Sequence, residues 1–153
     1  MSVKTEEMFL SRKKELKQLK IFAHKVQILV PAEATGGVFS LIEQLSPPGE
    51  GIPPHIHAQE DETFIIIEGE IDLEYGGKKM KAKAGDTFFL PRLKPHGYVN
   101  NGKLPCRVMV IISPGGFEQF FEDVQAIDST NPANIGKVAE LLEKKYATTF
   151  LKK

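Results

Sequence analysis

The chain contains four histidines, and three of them stand with a glutamate where imidazole and carboxylate donors can share one ion. His55 and His57 are separated by a single residue, and on an extended strand residues i and i+2 project from one face. Glu62 opens the next apolar run, whose parity sets Glu62, Phe64 and Ile66 on one side. His96 follows Pro91-Arg-Leu-Lys-Pro95 at the start of a further strand. Three neutral imidazoles and one carboxylate form a borderline-hard donor set suited to one divalent transition metal: iron(II), manganese, nickel, copper or zinc. Four protein donors leave up to two positions free on a six-coordinate ion, and free positions are what metal catalysis requires. Glu62 has two roles open to it, as a ligand or as the base that accepts a substrate proton. Each residue also has a plainer reading. Paired histidines can be exposed, His24 has no partner in sequence and reads as structural, and at least two carboxylates of Glu60-Asp61-Glu62 are expected to face solvent. Phe64, Phe88 and Tyr98 are candidate walls of a substrate pocket, with packing in a core the first role expected of each.

The elements that must position these residues are mostly β. From Ile21 onward, short apolar runs are broken by Gly and Pro, and strands are predicted over 26–30, 38–45, 64–67, 71–75, 79–83, 87–90 and 107–112. The clearest piece is a hairpin around Gly76-Gly77, where two glycines supply the positive φ of a tight turn. Ile71, Leu73 and Tyr75 are predicted to point inward before it, and Met80, Ala82 and Ala84 after it, with acidic and basic outer faces placed to pair. Many short strands at close spacing predict an antiparallel double sheet or barrel. Residues 1–20 form an arm or marginal helix, 21–114 the barrel, and 115–153 a helical extension packed on it. Helical spacing covers 117–127 and 135–146, with Asn131-Pro132 starting the second helix. Phe117, Phe120 and Phe121 are expected to pack that extension on the barrel, or to cap its mouth.

At 153 residues the chain is one domain's worth, and 41% hydrophobic with 26% charged residues is ordinary globular composition. The lone Cys106 excludes an intramolecular disulfide framework and a multi-cysteine zinc site, and it precedes an apolar strand as a buried structural thiol would. No run of 18 apolar residues is present, and the polar, Lys-rich start lacks the apolar region of a signal peptide, which predicts a cytoplasmic protein with no membrane partner. The zero net charge hides an asymmetry: residues 26–77 hold ten Asp/Glu and no Lys or Arg. Such a block is poor material for a nucleic-acid surface and better material for holding a cation, although most of its carboxylates are expected simply to be solvated. Gly-x-Ser-x-Gly, P-loop and Gly-x-Gly-x-x-Gly motifs are absent, so hydrolase-triad, NTPase and dinucleotide readings have no local support.

The spacing of Gly49, His55, His57, Glu62 and Gly69 resembles the first motif of the cupin superfamily, and Gly85, Pro91, His96 and Asn100 resemble the second. Leu93 stands where that second motif usually has glycine, a departure that bears on the turn before His96. The flanks resemble small quercetin-dioxygenase-like cupins. The resemblance implies a jelly-roll barrel of six to ten strands with a metal held near its centre by His55, His57, Glu62 and His96. It implies a metal-dependent, dioxygenase-like oxidoreductase acting on a small organic molecule, phenolic or enolisable. A non-catalytic binding or sensing module and a metal-dependent isomerase or epimerase are the alternatives. Exposed sheet edges and the N-terminal arm need covering, which predicts a homodimer.

Overall fold

A computed structural model describes residues 7–151, and eleven strands in it form two antiparallel sheets. Across the first sheet lie β1 (Leu19–Ile21), β2 (His24–Val30), β3 (Ser40–Ser46), β10 (Cys106–Ser113), β5 (Asp61–Glu68) and β8 (Thr87–Leu90). Across the second lie β11 (Thr148–Phe150), β4 (Gly51–His57), β9 (His96–Val99), β6 (Glu70–Tyr75) and β7 (Lys78–Lys83). This is the mostly β jelly-roll expected, built as two facing sheets whose edges are not joined into a closed ring. Strict alternation explains the core: Cys106, Val108, Val110 and Ile112 of β10 are buried while their neighbours are not. Ile42, Phe64 and Ile66 join them from the first sheet, and Ile71, Leu73 and Tyr98 face them from the second.

The predicted hairpin forms, with φ of +58° at Gly76 and +80° at Gly77 and Tyr75 opposite Lys78. Lys81 pairs with Glu70 at 2.7 Å and Asp72 at 3.1 Å on its outer face, exposed contacts that add little energy. Met80 and Ala84, expected inward, are exposed; β7 is an edge strand, and only Ala82 of it reaches the core.

The predicted arm of residues 1–20 is described from residue 7. In place of a helix it holds one 3-10 turn, Lys13–Glu15, and then enters β1 at Leu19. Its backbone finds partners on the barrel: Gln27 donates to the carbonyls of Lys13 and Leu16, and Ser11 donates to that of Leu29. At the other end, α1 (Gln119–Asp123) runs into a 3-10 turn, Val124–Ala126, and α2 (Ile135–Tyr146) follows a turn capped by Asn131. Val138, Leu142 and Tyr146 bury the apolar face of α2. Ala147 takes a left-handed conformation (φ +49°), which ends the helix and turns the chain into β11. The extension is therefore not helical throughout: its last strand becomes the edge of the second sheet, beside β4.

Candidate metal centre

Strand pairing brings the four predicted ligands together. Pro53 and Pro54 have no N–H to give the ladder, and the β4–β9 register shifts between Ile52 and His55. Beyond the shift His55 lies directly opposite His96, and on the other edge of β4 His57 lies opposite Thr148. Gly97 makes the approach of β9 to β4 possible, since a Cβ there would stand 2.7 Å from Pro54 N and 2.8 Å from Ile52 O. The three histidines thus belong to the second sheet, and Glu62 reaches them from β5 of the first. One donor atom from each of the four residues lies within 4.8 Å of the others, and all four side chains are buried.

The hydrogen bonds say which atoms face the centre. Glu62 Oε1 lies 3.0 Å from His96 Nε2 and 3.3 Å from His57 Nε2. His55 Nδ1 donates to the Pro53 carbonyl at 2.8 Å, an acceptor-only partner, so its Nε2 carries the lone pair. Burial and the neighbouring imidazoles push His55 down to about 3. Burial also works against charge on His57, yet Glu62, reinforced by Glu60, lifts it to about 9. Burial alone would raise Glu62, but His57 and His96 hold it well below the usual carboxylate range. The cluster already balances an anionic Glu62 against a cation, and its donors are those a divalent first-row metal takes. Ligands about 2.1 Å from a shared ion lie at most about 4.2 Å apart, so these donors stand close to coordinating dimensions.

A cavity of about 70 Å³ adjoins the cluster. Phe64 and Tyr98 line it; Phe88 is not among its walls, because it sits opposite Phe64 in the β5–β8 register and stacks behind that ring at 5.1 Å. The remaining walls come largely from beyond the predicted barrel: Phe117, the α1 rings Phe120 and Phe121, Val138 and Leu142 of α2, and Phe150, with Ile21 and Phe22 from the barrel's first residues. Phe117 meets His57 edge-on at 4.7 Å, so the phenylalanine group both packs the extension and covers the centre.

Two parts of the site were not visible in sequence. Glu60, expected in solvent, is buried with its Oε1 3.6 Å from His57 Nδ1. His24 is fully buried and ends an ordered chain of hydrogen bonds. Its Nε2 donates to the Gly51 carbonyl at 3.1 Å, so Nδ1 accepts from Ser46 Oγ at 2.9 Å. Ser46 then accepts from Tyr98 Oη at 3.1 Å, and Tyr98 accepts from Gln44. Gln44 and Tyr98 bring that polar chain to the cavity wall. Cys106 lies buried elsewhere in the core, its thiol pushed up to about 11 by burial, and takes no part.

Comparison with known proteins agrees with this geometry. The chain is 30% identical over 95 residues to quercetin 2,3-dioxygenase of Bacillus subtilis, covering 62% of this chain and 28% of that one. It is 30% identical over 88 residues to the uncharacterized protein MJ1618 of Methanocaldococcus jannaschii, covering 58% of this chain and 70% of that one. Of three other curated relatives it spans 50% to 58% of the length. Among solved structures, KdgF from Halomonas sp. superposes with a TM-score of 0.67 at 18% identity, over 74% of this chain and 99% of that one. The cupin domain model matches residues 43–112, the stretch in which β4, β5 and β9 assemble the histidines and Glu62, and this chain belongs to the cupin family.

Proposed function

We propose that the protein is a metal-dependent oxidoreductase of dioxygenase-like chemistry acting on a small, enolisable organic molecule. The observation that carries this reading is the buried convergence of His55, His57, Glu62 and His96 beside an apolar cavity. A divalent metal held there would supply a Lewis acid and, if redox-active, a partner for dioxygen. The chain itself would do the rest. Phe64, Phe117 and Phe150 exclude water, Gln44 and Tyr98 offer polar groups to the far end of a ligand, and Glu62 is the carboxylate placed to take a proton. The similarity to quercetin 2,3-dioxygenase supports the oxidative reaction class. The cavity sets the size, at about 70 Å³. That favours a small acid or enol over a multi-ring phenol.

The protein would work in the cytoplasm as a homodimer without nucleic-acid partners; no helix of the described residues is long and apolar enough to cross a membrane. Met8, Phe9 and Leu10 are exposed in succession on the arm, and a second copy would cover them. Elemental analysis of untagged protein beside a His55→Ala/His96→Ala variant tests the centre, with one metal per chain expected in the first and none in the second. Oxygen uptake during a screen of small hydroxy and keto acids tests the reaction. Turnover without oxygen uptake would replace it with an isomerase, and tight ligand binding without product would replace it with a sensing module.

A further inference from the structure

Thr148 lies 36 residues beyond the stretch that matches the cupin domain, on a strand supplied by the C-terminal extension. Its hydroxyl is buried between two partners. It stands 3.0 Å from the Tyr146 carbonyl and 3.1 Å from His57 Nδ1. A carbonyl only accepts, so the single hydroxyl proton goes to Tyr146, and the oxygen is left to accept from His57 Nδ1–H. That bond holds a proton on the outer nitrogen of His57 and leaves Nε2, the atom facing Glu62, as the nitrogen whose lone pair a metal would take. Glu60 adds negative charge at the same nitrogen, but at 3.6 Å it is beyond hydrogen-bond reach. The register that sets Thr148 opposite His57 also sets Phe150 opposite His55, with the two rings 6.2 Å apart.

We infer that Thr148 is a positioning residue of the metal centre: by accepting from His57 Nδ1–H it fixes that ring's tautomer and orientation, so the C-terminal strand completes the centre. The inference rests on the metal reading given above. Groups that hold the outer nitrogen of a ligating histidine typically govern affinity by 10- to 100-fold. The test is zinc(II) affinity of the whole chain, measured by competition with a chromophoric chelator, for the wild type and for His57→Ala, Thr148→Val and Thr148→Ser. We expect His57→Ala to lose most of the affinity, Thr148→Val to bind about 10- to 100-fold more weakly, and Thr148→Ser to stay within about threefold of wild type. Equal affinity in wild type and His57→Ala would overturn the metal reading and the inference with it. Loss in His57→Ala with wild-type affinity in Thr148→Val would overturn the inference alone, as would equal losses in the Val and Ser variants, because serine keeps the hydroxyl that the inference makes responsible. Should Thr148→Val not fold, nitrogen-15 spectra of the zinc-loaded wild type decide. A His57 with zinc on Nε2 and a slowly exchanging Nδ1 proton supports the inference, and zinc on Nδ1 overturns it.

Discussion

Leu93 holds a backbone conformation near the site that its side chain disfavours. Its φ is +70°, a region in which a Cβ crowds the following carbonyl at a cost of roughly 1–2 kcal/mol. The turn is nonetheless kept, because the Leu93 N–H donates to the His57 carbonyl at 2.8 Å and ties the loop before His96 to the strand bearing the other two histidines. Glycine at this position in the second cupin motif thus has a conformational reason, and leucine tolerates the turn under strain. The Leu93 side chain is 62% exposed, so its removal forfeits little packing. Leu93→Gly should therefore raise stability by about 1 kcal/mol, the relieved strain being partly offset by the greater freedom of glycine in the unfolded chain. Urea unfolding measures this, and an unchanged or lower midpoint would contradict the strain. A second residue-scale effect concerns His24, held neutral by burial and satisfied at both nitrogens. His24→Ala strands Ser46 and the Gly51 carbonyl, and about 1–3 kcal/mol of stability should be lost, read from the same unfolding curves.

At the scale of elements, the centre depends on how closely β4 and β9 approach. Gly97→Ala would push a Cβ into the backbone of Pro54 and Ile52, so the β4–β9 pair must separate. Gly136→Ala, in α2, meets nothing within 4 Å and replaces a poor helix former with the best one. We expect Gly97→Ala to lower the melting temperature and weaken zinc binding, while Gly136→Ala keeps the affinity and gains up to about 0.5–1 kcal/mol. Calorimetry with the chelator competition separates the two. The elements differ in how far the sequence reveals them. β10, the Gly76-Gly77 hairpin and α2 could be read directly, because each buries one face and advertises its period. His-x-His, Glu62 and His96 could be read because their spacing is fixed by a shared chemistry. β1 and β11, of three residues each, are too short to show a period and exist only through partners elsewhere in the fold. Thr148 was invisible for the same reason: it acts on His57 from 91 residues away, through a register that no local pattern encodes.

For the whole molecule, the part of the barrel that matches the cupin domain brings the donors together and the extension closes the space beside them. Phe117, Phe120, Phe121, Leu142 and Phe150 roof the cavity, and what holds α1 to the end of α2 therefore holds the roof. A carboxylate does this: Asp123 accepts from Lys145 at 2.6 Å and from the Tyr146 hydroxyl, one residue before the chain turns into β11. Lys145, then Tyr146, hold the Asp123 carboxyl down to about 2. A carboxyl depressed in the folded state stabilises it above the ordinary value near 3.8, and that contribution is lost as pH falls from about 4 towards 2. Lys145 is mostly exposed, so solvent screening limits the gain to about 1 kcal/mol or less at neutral pH. Asp123→Asn should remove it, lowering stability at pH 7 and flattening the acid-side decline between pH 4 and 2. Hydrogen exchange locates the effect: amides of α2 and β11 should exchange faster in the variant at pH 7, while those of β3 and β10 keep wild-type rates. Uniform acceleration across both sheets would mean that the extension is not a separable roof and that the fold opens only as one unit.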